Sequence, residues 1–204
     1  MITTWAAILA RLWGRTPKIA LFGAAALVQV ALLSVMIIDR VQILRDGKEV
    51  TLRSRPVDPR DLLRGDYVIL GYDISQLPAG ALLNQRASSR TPFVFVKLAP
   101  NRDGIHEAVS VHAEPVEVSN PEVLIRGTLR CGATCGSTGY AFCEKLSIRY
   151  NLESYFVPEG EGRKLEDLRN QGKLSVVAAV LPSGRAAIKR LLIDGKPVYE
   201  EPWF

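Results

Sequence analysis

Carboxylate, tyrosine and arginine side chains are concentrated in two segments of this 204-residue chain. The candidate ligand-binding or partner-binding residues are Asp58, Asp61, Arg64, Asp66, Tyr67, Tyr72, Tyr155 and Glu159. Paired carboxylates beside tyrosines are typical of sugar binding and of acid–base hydrolysis, in which two carboxyl groups flank the bond at about 5–10 Å. Such a site requires the segment from Asp58 to Tyr67 to converge with Tyr155, Glu159 and Glu161.

The same residues also allow a purely structural interpretation. Gly65 permits a turn with positive φ, and Asp66 can accept hydrogen bonds from backbone amides just ahead of it. Pro56 and Pro59 hold the approach to this turn extended. Glu159 can be a solvated acid before a helix, where negative charge is favoured. The sequence favours this rigid corner and leaves the ligand site open as the alternative.

Three cysteines lie in one glycine-rich hairpin, spaced C-x3-C-x7-C at Cys131, Cys135 and Cys143. Outside the cytoplasm a disulfide with one thiol left over is reasonable, and free structural thiols are the alternative. Zinc would need four ligands and closer spacing; His106 and His112, six residues apart on a strand, are same-face neighbours without a metal signature. No phosphate-binding or dinucleotide glycine pattern occurs, so we expect neither a metal nor a cofactor.

The elements that must position these residues are mainly β. Turn signals such as Asp46-Gly47 and Asp194-Gly195 separate short β-compatible runs, which suit an antiparallel sandwich or barrel-like sheet. The predicted strands are 49–53, 67–74, 93–98, 108–113, 122–130, 146–152, 174–181, 186–193 and 198–199. Only residues 163–171 are predicted to be helical in this body, ending at Gly172.

Alternation along the predicted strand 67–74 separates a core face from an outer face. Val68, Leu70, Tyr72 and Ile74 share the core face, because successive side chains of a strand point to opposite sides. The predicted fold class is therefore mainly β (α+β), with one short helix.

Residues 19–38 contain no charged side chain and predict a transmembrane helix. Twenty residues at about 1.5 Å each span about 30 Å, the thickness of a bilayer's hydrocarbon core. A cleavable signal peptide would have a shorter apolar region and a small-residue cleavage site, so an uncleaved anchor is the better prediction.

Residues 1–18 form the predicted amphipathic segment. They carry Arg11, Arg15 and Lys18 without an acid, and Trp5 and Trp13 lie on the apolar side of a helical pattern. A short basic flank is typical of the cytoplasmic side. We therefore expect a cytoplasmic N-terminus and an extracytoplasmic domain over 39–204, whose net charge is only +2 of the total +5. Basic residues in that domain alternate with acids, which argues against nucleic-acid binding.

The segment Gly65-Asp66-Tyr67-Val68-Ile69-Leu70-Gly71-Tyr72 matches G-D-Y-x-x-L-x-Y, and the chain resembles the bacterial GDYXXLXY family. Residues 56–61, 155–160 and 193–197 also look familial. The resemblance implies a domain anchored in the inner membrane, extracytoplasmic or periplasmic, often encoded beside a polytopic membrane protein. The family carries no established activity, catalytic residue or cofactor. The cysteine-bearing hairpin departs from its pattern.

Residues 59–68 also weakly resemble the stretch after the nucleophile of type I signal peptidases. The Ser-Met-x-Pro element that would supply the nucleophile is missing, and Ser54 lies five residues before Pro59. Lys189 is the only lysine in a comparable later strand. A serine needs an adjacent base to attack, so a signal-peptidase-like protease is the remote alternative.

The sequence favours a non-enzymatic accessory or scaffold protein of the cell envelope, held in the lipid bilayer and docking on a polytopic membrane partner or envelope component. The alternative is a binding module or hydrolase for an envelope saccharide or a lipid headgroup, acting through Asp61, Asp66, Tyr67 and Glu159.

Overall fold

The computed structural model describes residues 18–56, 67–78, 81–83, 93–130 and 145–201. The chain divides into two compact units, Met1–Arg40 and Val41–Phe204. The predicted amphipathic segment 1–18 lies outside the described residues except for Lys18.

Helix α1 (Lys18–Asp46) contains the predicted anchor and continues eight residues beyond Ile38. The extension exists because Ile43 and Leu44 are buried against Ala179 and Ala187 in the second unit. The turns after Ile38 begin with the charged residues Asp39 and Arg40, so they lie beyond the uncharged stretch. Burial of the two apolar side chains stabilises the helix over these turns.

The described residues form thirteen strands. Their bounds are β1 (Lys48–Arg55), β2 (Tyr67–Ile69), β3 (Gly71–Tyr72), β4 (Gln76–Pro78), β5 (Leu82–Leu83), β6 (Phe93–Pro100), β7 (His106–His112), β8 (Val123–Arg130), β9 (Lys145–Arg149), β10 (Ser154–Phe156), β11 (Leu174–Val180), β12 (Ala186–Ile193) and β13 (Lys196–Glu200). A short 3-10 helix, Asp73–Ser75, connects β3 to β4, and α2 (Gly162–Asn170) follows β10.

The strands form two large sheets and one small one. The five-stranded sheet has the order β13-β12-β11-β1-β3, the six-stranded sheet β4-β9-β8-β6-β7-β5, and β10 pairs with β2. Pairing is antiparallel except between β5 and β7. A parallel bridge from Thr51 to Ile105 and the passage from β3 to β4 link the large sheets, so together they form a nearly closed, barrel-like sheet. The mainly β fold with one further short helix is therefore confirmed.

The predicted strand 67–74 is wrong in one respect, because it breaks at Leu70 and ends in the 3-10 helix. The Leu70 amide donates its hydrogen bond to the Glu153 carbonyl oxygen (2.9 Å), outside either sheet ladder. Strands β4, β5 and β10 were not predicted, since two or three residues are too short to show alternation. Helix α2 begins and ends one residue before its prediction, and Gly172 follows it with φ of +72°.

Candidate functional site

The motif strand, residues 67–72, contributes its apolar face to the core. Val68, Leu70 and Tyr72 are buried, and Ile69 and Gly71 are half-buried on the other side. Ile74 continues the buried face. The predicted core face is confirmed, because alternation persists across the break in the strand.

Two tyrosine hydroxyls connect the motif strand and the residue after the next, Ile74, to the segment 150–153. Tyr72 donates a 2.6 Å hydrogen bond to the Leu152 carbonyl oxygen, and Tyr150 donates one of 2.7 Å to the Ile74 carbonyl oxygen. Burial, with a further contribution from the Glu153 charge, raises the pKa of both phenols well above its ordinary value. Both tyrosines therefore remain neutral donors, and Tyr72 acts within the fold.

The turn that presents these carbonyl groups is shaped by its own side chains. Asn151 has φ of +61°, a conformation that asparagine tolerates better than most residues. The Glu153 carboxylate accepts a 2.6 Å hydrogen bond from the Tyr150 amide. This acid thus closes the turn next to the motif strand.

Helix α2 reaches the motif strand through a buried arginine. The Arg169 guanidinium donates to the Ile69 carbonyl oxygen and, from Nε and Nη2, to Asn170 Oδ1 at 3.2 and 3.1 Å. Its Nη1 lies 3.9 Å from Glu166 Oε1. Burial lowers the pKa of Arg169, which nevertheless stays charged in a protein. Arg169 is not among the residues that the sequence predicts to be functional, although it falls one turn after Leu165 on the buried side of the predicted helix.

The second familial segment lies beside the motif strand, as a functional site would require. In the β10–β2 pair, Tyr155 is opposite Val68 and Phe156 is opposite Tyr67. Tyr155 is buried, and its ring meets that of Tyr199 edge-on at 6.4 Å. The pairing therefore brings the backbones of the two segments together.

The acids of the second segment face solvent and α2. Glu159 is exposed. Glu161 accepts a 3.0 Å hydrogen bond from the Tyr199 hydroxyl and lies 3.1 Å from Lys164 Nζ. The hydrogen bond from Lys164, together with that from Tyr199, lowers the pKa of Glu161. Asp58, Asp61, Arg64, Asp66 and the side chain of Tyr67 lie outside the described residues, so convergence of the carboxylates stays a prediction.

A pocket of about 300 Å³ opens beside the motif strand, and we call it the motif pocket. Arg55, Arg149 and Glu153 contribute its charged groups. Arg55 Nη1 donates a 3.2 Å hydrogen bond to Gln76 Oε1. Ser75 also lines it, and its buried hydroxyl has no hydrogen-bond partner among the described residues. Cationic and hydroxyl groups in this arrangement suit binding of a polar or anionic group.

The serine and lysine of the remote peptidase hypothesis bind other groups. Ser54 is buried and donates a 2.6 Å hydrogen bond to the Leu174 carbonyl oxygen. Lys189 Nζ lies 3.0 Å from Glu49 Oε1. The Ser54 hydroxyl thus stabilises the β1–β11 pair.

The two histidines are on opposite faces of β7, and the same-face expectation is wrong. A bulge between Lys97 and Leu98 in the β6–β7 register leaves Val109 without a partner, which reverses the alternation. His106 therefore lies on the inner side, where its Nδ1 accepts a 3.3 Å hydrogen bond from the Thr51 amide. His112 lies outside, 2.8 Å from the hydroxyl of buried Ser110.

Among the described residues, no three His, Cys, Asp or Glu side chains are grouped to hold a metal ion. Cys131, Cys135 and Cys143 lie outside those residues, and their pairing stays a prediction.

A second, larger depression of about 750 Å³ lies between the loop 116–122 and the end of β11, and we call it the apolar groove. Its apolar walls are Val116, Val118, Val123, Leu124, Val180, Leu181 and Pro182. Its polar margin contains Asp46, Lys48, Glu117 and Glu122. All of these residues belong to the unit Val41–Phe204. An apolar depression with a few charged groups at its margin is typical of a binding surface.

Comparison with known proteins identifies a family. A protein-family model described as "GDYXXLXY protein" matches residues 29–191, which covers most of the chain. No curated protein and no solved structure matches it.

Proposed function

The chain belongs to the GDYXXLXY family, and we propose that it is a membrane-anchored accessory protein whose β-rich domain docks on a membrane partner. In this proposal the anchor lies in the bacterial inner membrane. The N-terminus is cytoplasmic, and residues 39–204 are extracytoplasmic.

The observation that carries the proposal is the uncovered apolar surface of α1. Within Ala20–Asp46 an 18-residue stretch has a mean hydropathy of 2.4, and none of that stretch is buried within the protein. Phe22 and Met36 are 75% and 69% exposed. Exposed apolar side chains over this length gain free energy from burial in hydrocarbon, which supports a bilayer as the environment of the helix.

The orientation rests on charge at the start of the chain. Arg11, Arg15 and Lys18 precede the apolar stretch without an acidic residue. Short basic flanks stay on the cytoplasmic side, whereas a long folded domain translocates largely regardless of its charge.

The motif strand supports docking over catalysis. Leu70 and Tyr72 are buried, and the Tyr72 hydroxyl is used by the Leu152 carbonyl oxygen. Side chains that are buried and hydrogen-bonded in this way stabilise a rigid domain and are not accessible to a substrate. A rigid domain beside a membrane is well suited to present a fixed surface to a partner.

Co-purification tests the proposal with the full chain, solubilised in mild detergent from its native membrane. We expect a stoichiometric polytopic membrane protein to remain bound. The matched control replaces residues 19–38 with an unrelated apolar helix of equal length, which should retain the partner if the domain makes the contact. Recovery of the chain alone would contradict the proposal.

Protease protection checks the orientation, and digestion of the β-rich domain from the cytoplasmic side would contradict the proposed orientation.

A second candidate is recognition of an envelope saccharide or a lipid headgroup at the motif pocket. It is favoured by Arg55 and Arg149 on separate strands and by the buried Ser75 hydroxyl. Binding of oligosaccharides or headgroup phosphates to the detergent-solubilised chain, weakened by Arg149→Gln and unchanged by Arg102→Gln in an exposed turn, would support it. Equal binding by all three proteins would contradict it.

A further inference from the structure

We infer that the apolar groove binds a protein segment of the membrane partner, one that carries apolar side chains next to a lysine or arginine. The inference rests on the proposed docking function and assigns it a surface.

The lining of the groove is apolar and partly accessible. Val123, Leu124 and Val180 are buried beneath it, whereas Val116 and Val118 are half-buried at its side. A volume of about 750 Å³ accommodates several apolar side chains. Covering this surface would remove more apolar area from water and so stabilise a complex.

The wall of the groove is held in place before any partner arrives. Lys48 Nζ contacts Asn120 Oδ1 at 2.7 Å and the Pro121 and Glu122 carbonyl oxygens at 3.0 and 3.4 Å. The Glu122 carboxylate lies 2.8 Å from Lys97 Nζ. These contacts tie the loop 116–122 to β1 and β6, so binding need not order the loop first.

The groove lies close to the anchor along the chain, whatever the orientation of the domain. Asp46 at its margin is eight residues beyond Ile38, the last residue of the uncharged stretch. Eight residues span at most about 28 Å even when fully extended. A link this short keeps the domain near the membrane surface, where a partner's chain leaves the bilayer.

Charge at the margin selects between a protein and a lipid as the occupant. Lys48 and Glu122 are already used by the contacts above, whereas among the described residues Asp46 and Glu117 are exposed and form no ion pair. Two free carboxylates repel anionic lipid headgroups and attract a basic side chain. The structure therefore favours a basic, apolar peptide segment.

Site-specific photo-crosslinking of the full chain in its native membrane tests the occupant. A photoreactive residue replaces Val118 in the groove, and Val109 or Val198, exposed elsewhere, serve as matched controls. We expect Val118 alone to form an adduct, with a peptide of a polytopic protein that carries apolar and basic residues at the membrane boundary. An adduct of lipid mass, an adduct with a second copy of this chain, equal labelling at the control positions, or no adduct would each overturn the inference.

Charge reversal gives a second, independent test by quantitative co-purification. Glu117→Lys should retain about fivefold less partner than the natural chain, since attraction becomes repulsion, whereas exposed Glu114→Lys, just before the loop and outside the groove, should retain it fully. Changing the crosslinked basic residue of the partner to glutamate should restore binding to Glu117→Lys. Unfolding midpoints of both variants confirm that they fold.

If the natural chain retains its partner and Glu117→Lys retains as much, the groove is not the docking surface, although the docking function stands. If the natural chain retains no partner, both proposals fail.

Discussion

Tyr72, the last tyrosine of the sequence motif, donates a 2.6 Å hydrogen bond to the carbonyl oxygen of Leu152, 80 residues further along the chain. Both residues are buried in the main core. The bond joins the end of the motif strand to the turn that precedes β10, which itself pairs with β2. The motif is thus a long-range connection within the fold.

Removing this hydroxyl should destabilise the protein. Tyr72→Phe keeps the ring and leaves the Leu152 carbonyl without its donor, so we expect a loss of about 1–3 kcal/mol in the free energy of unfolding. Urea denaturation of the full chain in mild detergent measures it. Tyr199→Phe, whose hydroxyl bonds half-buried Glu161 near the surface, is the control and should lose clearly less stability than Tyr72→Phe. Equal losses in both variants would contradict a special role for Tyr72.

The buried guanidinium of Arg169 should be equally hard to replace. Arg169→Met fits the volume but leaves the Ile69 carbonyl without its charged donor, which should cost about 1.5–3 kcal/mol. Arg169→Lys should not restore stability, because one ammonium cannot reproduce a planar fork that reaches both Ile69 and Asn170. Urea midpoints measure both, with Arg102→Met in an exposed turn as the control. Full stability of Arg169→Lys would show that charge alone is required.

Gly127 in β8 has no room for a side chain. A Cβ there would overlap Ile148 Cγ2 and lie 3.0 Å from Tyr150 Cε1, and both side chains are buried. Gly127→Ala should therefore destabilise the domain by about 1–3 kcal/mol through overpacking. Thermal or urea unfolding measures this loss.

A double variant shows whether the contact with Ile148 is the cause. Ile148→Ala alone should cost about 2–5 kcal/mol by leaving a cavity. In Gly127→Ala with Ile148→Ala, the new methyl group enters that space, so the combined loss should be smaller than the sum of the two. Additive losses would locate the strain elsewhere.

Much of the fold could be predicted because alternation and turn residues are local signals. Strand β12 occupies its predicted residues, and α2 is displaced by one. The length of α1 could not be predicted, since its last turns depend on the burial of Ile43 and Leu44 against Ala179, a contact between distant parts of the chain.

The candidate site was predictable only in part. The sequence indicates that Leu70 and Tyr72 face the core, but it carries no sign that the motif strand breaks at Leu70, whose amide is bound by the distant Glu153 carbonyl oxygen. The opposite faces of His106 and His112 follow from a bulge, which depends on the partner strand. Pairing across the sheet is a non-local property, and it decides these details.

The pH dependence of stability should reveal the inner histidine. Burial lowers the pKa of His106, and the positive charge of Lys48 adds to this effect. The unfolded chain has the ordinary value near 6.5. Below that pH the unfolded chain binds more protons than the folded one, so stability should fall as the pH drops from 7.5 to 5.5, by at most about 1.4 kcal/mol per pH unit. His106→Asn keeps an acceptor for the Thr51 amide without titrating in this range. The urea midpoint of His106→Asn should therefore change less with pH than that of the natural chain. His112→Asn retains His106 and should behave like the natural chain. A flat profile for the natural chain, or the same slope in His106→Asn, would show that His106 is protonated equally in both states.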